Sequence, residues 1–206
     1  RALSSFPLGD AYAEDGTVNH EYITGQYSPM GDFIKDQYVD NRRSTYLNVN
    51  GYIELIPIKD ITFTSRINGT LNHSRQGQYW GDQCNANRPS YAGSPHASIT
   101  NNNSWSYTWE NILTYNTTIA KAHNLGGSLI TSWNKNQSES SMAAASGQMV
   151  DRWSFWRLAS GTSQHVESDF AQTQKMSFAF RLNYSYKGKY LFNFSNRWDG
   201  VSQFST

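Results

Sequence analysis

The sequence predicts an all-β chain, an antiparallel transmembrane β-barrel held here as an incomplete segment of about six strands. Three observations predict it. Six runs alternate apolar and polar residues with a period of two, their connections alternate between tight turns and long polar loops, and ring chemistry follows a fixed order along the apolar face.

The six runs are expected at about 46–57, 61–72, 104–119, 124–134, 170–186 and 190–199. In the first, Leu47, Val49, Gly51, Ile53 and Leu55 oppose Asn48, Asn50, Tyr52 and Glu54. The second sets Ile61, Phe63, Ile67 and Leu71 against Thr62, Thr64, Arg66, Asn68 and Thr70. In the third, Trp105, Tyr107, Trp109, Leu113 and Tyr115 oppose Ser106, Thr108, Glu110, Thr114 and Asn116. Leu125, Leu129 and Trp133 form the apolar side of the fourth, and Met176, Phe178, Phe180, Leu182 and Tyr184 that of the fifth. In the sixth, Tyr190, Phe192, Phe194 and Trp198 oppose Asn193, Ser195, Arg197 and Asp199. The seven charges within these runs (Glu54, Arg66, Glu110, Lys175, Arg181, Arg197 and Asp199) all fall on the polar side. Random sides would do this roughly once in a hundred trials.

A soluble sandwich would sort its charges in the same way, so the membrane reading rests on other features. Several arms run past ten residues, whereas soluble strands cluster near five or six. Pro57 to Asp60, Ala120 to His123 and Lys187 to Lys189 read as tight turns, and His73 to Asn103 and Gln137 to Ser168 as long polar loops. That is the asymmetry of outer-membrane barrels. Trp105, Tyr107, Trp109, Trp133 and Trp198 lie toward the long-loop ends, and Tyr115, Tyr184, Tyr186 and Tyr190 toward the tight turns. Leu and Phe fill the middle. Indole and phenol favour the headgroup level, so two ring belts around a greasy band match a bilayer-facing surface.

Composition excludes several classes. Hydrophobic residues are 37%, charged residues 16% and aromatic residues 15%, where soluble domains usually carry more charge and fewer rings. Mean hydropathy is −0.67, and no window holds the roughly 18 consecutive apolar residues of a spanning helix. Net charge is +1 with the signs mixed along the chain, so no nucleic-acid footprint is expected. Cys84 stands alone in a polar stretch and is expected as an exposed thiol. The chain opens at Arg1 without a signal peptide. Six strands cannot close a transmembrane barrel, because the smallest single-chain ones have eight, and open edges in lipid cost several kcal/mol per unsatisfied group. The expectation is therefore an incomplete piece of a wide barrel.

Three stretches carry a family resemblance: NYSYKGKYLFNFSNRWDG from Asn183 to Gly200, SYTWENILTYNTTIAKAHNLGGSLITSW from Ser106 to Trp133, and STYLNVNGYIELIPIKDITFTSRI from Ser44 to Ile67. They resemble hairpins of the SusC/RagA family of TonB-linked outer-membrane transporters. The family pattern after the last of these strands reads Arg-x-Asp-Gly-Ser-Ser-Arg-Phe; Arg197, Asp199, Gly200, Ser202 and Phe204 match it, while Val201 and Gln203 depart. The resemblance implies a 22-stranded plugged barrel in the bacterial outer membrane that imports oligosaccharides or peptides. It also implies a TonB complex and a SusD-like surface lipoprotein as partners. No plug domain is expected within this chain. Neither an enzyme activity nor a cofactor is implied.

Other motifs read as bland. Asn-x-Ser/Thr triplets, such as those at Asn68 and Asn193, arise automatically on a polar face of period two. The five histidines show no ligand spacing, so no metal is expected, and no nucleophile–base arrangement stands out. Ala-rich Ser140 to Val150 is expected as a short helix within its loop. The candidate substrate-binding residues are the loop rings Tyr79, Trp80, Tyr91, Trp153 and Trp156, with Asp82, Arg88, Asp151 and Arg157 beside them. Sugars stack on such rings while charged groups bond hydroxyls, and loops carry function more often than scaffold does. The competing reading is a soluble or surface-attached β-sandwich carbohydrate-binding module using the same rings.

Overall fold

The computed structural model describes residues 10, 12–19, 21–23, 26–27, 29–84, 87, 94–147 and 150–202. A two-stranded sheet of β1 (Glu21–Ile23) and β2 (Gln26–Tyr27) precedes one six-stranded antiparallel sheet. Its strands are β3 (Tyr38–Ile58), β4 (Ile61–Trp80), β5 (His96–Ile119), β6 (His123–Ser146), β7 (Ser163–Tyr186) and β8 (Tyr190–Val201). Each pairs with its sequence neighbour in the order β3-β4-β5-β6-β7-β8. Pro57, which lacks an N–H to donate, sits in edge strand β3, where a missing donor is tolerated.

The strands exceed expectation chiefly at their long-loop ends. β4 continues to Trp80, β5 begins at His96, β6 continues to Ser146 and β7 begins at Ser163. Strand thereby takes up much of what reads as long polar loop. Beyond the greasy band both faces of these strands are largely polar, so hydropathy loses its period while the backbone ladder continues unaffected. The Ala-rich run up to Ser146 is strand rather than helix, because neighbours on both sides supply a ladder that outweighs weak local propensity. Cys84 is fully buried, not exposed, and its Sγ donates to Asp32 Oδ1 at 2.8 Å.

The tight turns are built in left-handed backbone: Asp60 has φ 70°, Ala120 52°, Lys121 53°, Lys187 51° and Gly188 66°. The turns also bond sideways, Asn116 N to Asp60 O at 2.9 Å and Lys187 N to Ala122 O at 2.7 Å. Across the β7–β8 hairpin Phe178 faces Trp198, Leu182 faces Phe194, Tyr184 faces Phe192 and Tyr186 faces Tyr190. On the other side Ser177 faces Asp199, Arg181 faces Ser195 and Asn183 faces Asn193. Directly opposed residues share a face, so the alternation read from each strand becomes one apolar and one polar surface. The apolar positions are odd-numbered in β3 to β6 and even-numbered in β7 and β8.

The chain divides into two compact units. One comprises the residues up to Ser44, Ser74–Asn102 and Ser140–Asp169; the other comprises Thr45–His73, Asn103–Glu139 and the residues from Phe170 on. The second, the wall unit, leaves its apolar face open: Ile53 is 64% exposed, Leu113 41%, Phe192 56% and Trp198 60%. A sandwich would lay a second sheet on those side chains. Among the described residues none does so.

Candidate functional site

The polar face of the wall unit is knitted into a ladder. Asn48 Nδ2 donates to Thr70 Oγ1 at 3.0 Å, Asn50 bonds both Asn48 and Asn68, and Asn134 Nδ2 donates to Thr108 Oγ1 at 2.8 Å. Arg66 Nε meets Glu110 Oε2 at 2.5 Å, over a concavity that Glu54, Thr64, Asn68 and Thr108 also line. Asp199 gathers Arg197 at 3.0 Å, Lys175 at 3.7 Å and the Ser177 hydroxyl. These ion pairs are solvated and individually weak; together they make a wetted surface of mixed charge.

The apolar face of the same unit carries ordered rings. Trp105 stacks on Tyr107 at 6.2 Å and Trp109 on Trp133 at 5.4 Å, and the Trp109 indole N–H donates to Ser65 Oγ at 3.0 Å. Lys135 Nζ lies 5.1 Å from the Trp105 ring centre. At the tight turns Tyr186 stacks on Tyr190 at 6.4 Å, with Lys187 and Lys189 over the two rings at 5.3 and 5.7 Å. Cations and amphipathic rings therefore border the greasy band at each end, as at membrane interfaces.

In the other unit the apolar-face positions are covered by the chain itself. A strap containing two 3-10 turns, Asp151–Trp156 and Leu158–Ser160, lies between β6 and β7. Phe155, 2% exposed, packs with Tyr79 and Ala97 against Val39, Ile99 and Leu158. It fits because residue 77 is glycine: a Cβ there would sit 2.5 Å from the ring. The strap's carboxylate, Asp151, accepts hydrogen bonds from the Tyr79 hydroxyl and from Gln37 Nε2 at 2.7 Å. Burial, reinforced by the Asp151 bond and charge, pushes the Tyr79 hydroxyl well above the usual phenol range. Tyr79 therefore remains a donor.

A second feature of this unit occupies polar-face positions. Trp80 stacks on His96 at 4.5 Å with the planes 14° apart, beside Ser98, Met142, Ala144 and His165. His96 Nδ1 bonds Asn87 Oδ1 at 3.0 Å, and burial lowers its pKa, which favours the neutral ring. Small side chains around it leave a recess walled by an indole.

The nine residues expected to form one substrate site are thus divided. Tyr79, Asp151, Trp153, Trp156 and Arg157 come together in the strap cluster, and Trp80 belongs to the recess on the polar face. Asp82 is exposed in the turn after β4, and Arg88 and Tyr91 lie outside the described residues. The alternation of β4 explains the split of Tyr79 from Trp80, since neighbouring residues in a strand point to opposite faces. Sequence reading missed His96, Gln37, Phe155 and Gly77. Only Gly77, a glycine inside a long polar strand, carried a signal, that of a close approach.

No protein-family model matches the chain. Among curated proteins it is similar to TonB-dependent receptor P26 of Formosa agariphila, 28% identical over 99% of this chain and 21% of that protein. TonB-dependent receptor P3 of the same organism is 28% identical over 94% of this chain and 19% of its own length. The chain therefore spans about a fifth of these relatives. Among solved structures, the RagAB peptide transporter superposes with a TM-score of 0.78 at 20% identity, over 93% of this chain and 22% of that one. The RagAB peptide importer in its open-open state superposes with a TM-score of 0.76. The fold is that of a partial β-barrel wall, and the resemblance read from the hairpins stands across nearly the whole chain. The relatives are receptors and transporters by name, not enzymes.

Proposed function

We propose that this chain is a length of barrel wall from a TonB-linked importer of the bacterial outer membrane. The observation that carries the reading is the wall unit itself: a single sheet whose ring-bordered apolar face is bare among the described residues while its opposite face is largely polar. An exposed greasy band of this extent on a soluble surface would aggregate; against lipid it needs no further cover. The polar face, with Arg66, Glu110, Lys175, Arg181 and Arg197, then lines a water-filled interior. The TonB complex energises import through parts of the full-length protein beyond this chain, and a SusD-like surface lipoprotein caps it. The cargo is an oligosaccharide or a peptide; RagAB, similar in fold, is described as a peptide transporter.

Of the candidate substrate contacts, we assign Trp80 to cargo, because its ring stacks on His96 beside a recess of small side chains. Fractionation of cells tests the reading directly. The full-length protein is expected in the detergent-soluble membrane fraction, with uptake of labelled oligosaccharide or peptide lost on its deletion. Recovery from a plain aqueous lysate ends the transporter reading.

A further inference from the structure

We infer that the tight-turn edge of the wall unit is a docking rim for anionic phospholipid headgroups, formed by Lys59, Lys121, Lys187 and Lys189 with Tyr186 and Tyr190. The inference rests on the membrane reading above and goes beyond it, since it names the lipid that this edge prefers.

Three observations point there. The first is where the lysines are. The chain has seven, and four of them fall in the turns 57–60, 120–123 and 187–189. Those turns are 11 of the 206 residues, so an even spread would put fewer than one lysine there. Turn geometry does not ask for them. Lys121 and Lys187 stand at φ 53° and 51°, where Gly, Asn or Asp fit with less strain.

The second is charge. Asp60 is the one acid in these turns, and its carboxylate accepts the Thr117 hydroxyl at 3.0 Å. All four lysines are exposed, and among the described residues none of them enters an ion pair. The turns stand in one row: Lys187 N donates to Ala122 O at 2.7 Å, and Asn116 N to Asp60 O at 2.9 Å. Turns two strands apart are about 10 Å from each other, close to the Debye length, so their fields overlap. At the opposite end of the same unit the signs are mixed. Glu139 follows Lys135, and Asp199 gathers Lys175 and Arg197.

The third is level. Lys187 Nζ lies 5.3 Å from the Tyr186 ring centre and Lys189 Nζ 5.7 Å from that of Tyr190. The two rings oppose each other and share a face with Leu182, Phe192 and Phe194. A lipid whose chains lie along that greasy band brings its phosphate to the height of the rings, where the ammoniums stand. A free anion gains the charge without the band, so the edge selects an amphiphile.

The test uses purified full-length protein in detergent, titrated with dioleoyl phosphatidylglycerol or dioleoyl phosphatidylcholine and followed by native mass spectrometry. The anionic lipid is expected to be held more tightly. Lys187→Gln combined with Lys189→Gln is expected to weaken its retention about 25-fold, about fivefold per lysine, and to leave phosphatidylcholine unaffected. Should that double variant fail to assemble, Lys59→Gln with Lys121→Gln gives the same readout. Equal retention of the two lipids overturns the inference, as does an equal loss from Lys35→Gln in the other unit, which marks a general effect of charge. So does competition by free glycerol 3-phosphate at the concentration at which phosphatidylglycerol binds, because that marks a soluble anion. A photo-crosslinking residue at position 189 is expected to capture phospholipid in cells, and capture of a protein instead overturns the assignment. Fractionation separates the two failures: a membrane-borne protein indifferent to phosphatidylglycerol sinks this inference alone.

Discussion

The two units of the chain use the same strands and the same alternation, yet they satisfy their apolar-face positions by opposite means. In the wall unit those positions hold Leu, Ile, Phe, Trp and Tyr, and none of the described residues covers them. In the strap unit they hold small, polar or charged residues around a few rings, and the chain folds back to cover them itself. A β-strand fixes which side chains share a face. What that face must be made of depends on the solvent it meets. Hydrocarbon accepts a bare greasy surface, whereas water demands that large apolar groups be packed away.

The largest expected effect tests the self-covered unit. Phe155→Ala empties the slot over Gly77, and loss of a fully buried ring costs about 3–5 kcal/mol. Hydrogen exchange at strap amides is expected to accelerate, with exchange in β8 unaltered; unchanged strap exchange means that Phe155 does not hold it.

Next comes the bare unit. Leu113→Arg or Phe180→Arg is expected to cost about 2–4 kcal/mol of assembled-barrel stability if the face meets the bilayer midplane. Ser195→Arg, on the polar face opposite Arg181, should cost far less. The heat-modifiable band on a detergent gel reads both, and equal sensitivity of the two faces removes the distinction between lipid and water.

A smaller effect concerns Tyr79. Its pKa is raised in the fold, so the associated stabilisation is complete below the ordinary phenol pKa near 10 and is lost as pH climbs above it. Protease sensitivity of the strap should rise above that pH, and Tyr79→Phe should abolish the pH dependence while weakening the strap by about 1 kcal/mol. The smallest change is expected at Ser154, buried at φ 48° with an unpartnered hydroxyl. Ser154→Gly relieves a conformation that side chains resist and should raise strap protection by up to about 1 kcal/mol; lower protection would show that the hydroxyl contributes.

Much of the wall was legible in advance because a strand's code is local. Leu113 and Glu110 differ in parity, and parity alone sends them to opposite faces. The turns were legible for a similar reason: Gly188 and Asp60 mark places where the chain must turn left-handed. The strap cluster was not. Tyr79, Asp151 and Gln37 are far apart in sequence and meet only when β3, β4 and the strap are in place. Reading residues 79 and 80 as loop gave no hint that Tyr79 and Trp80 would point to opposite faces, nor did loop polarity show that Cys84 would be buried beside Asp32. The continuation of β4 to Trp80 and of β6 to Ser146 was hidden too, since backbone pairing leaves no trace in hydropathy once both faces are largely polar.

The amino-acid order by itself settled the two-faced sheet, its greasy band and its ring borders, because period-two alternation acts residue by residue and needs no partner to be read. The tertiary structure alone decided where the chain covers itself and which rings gather beneath the strap. Those outcomes depend on side chains from distant strands arriving at one place, and separation along the chain carries no record of that.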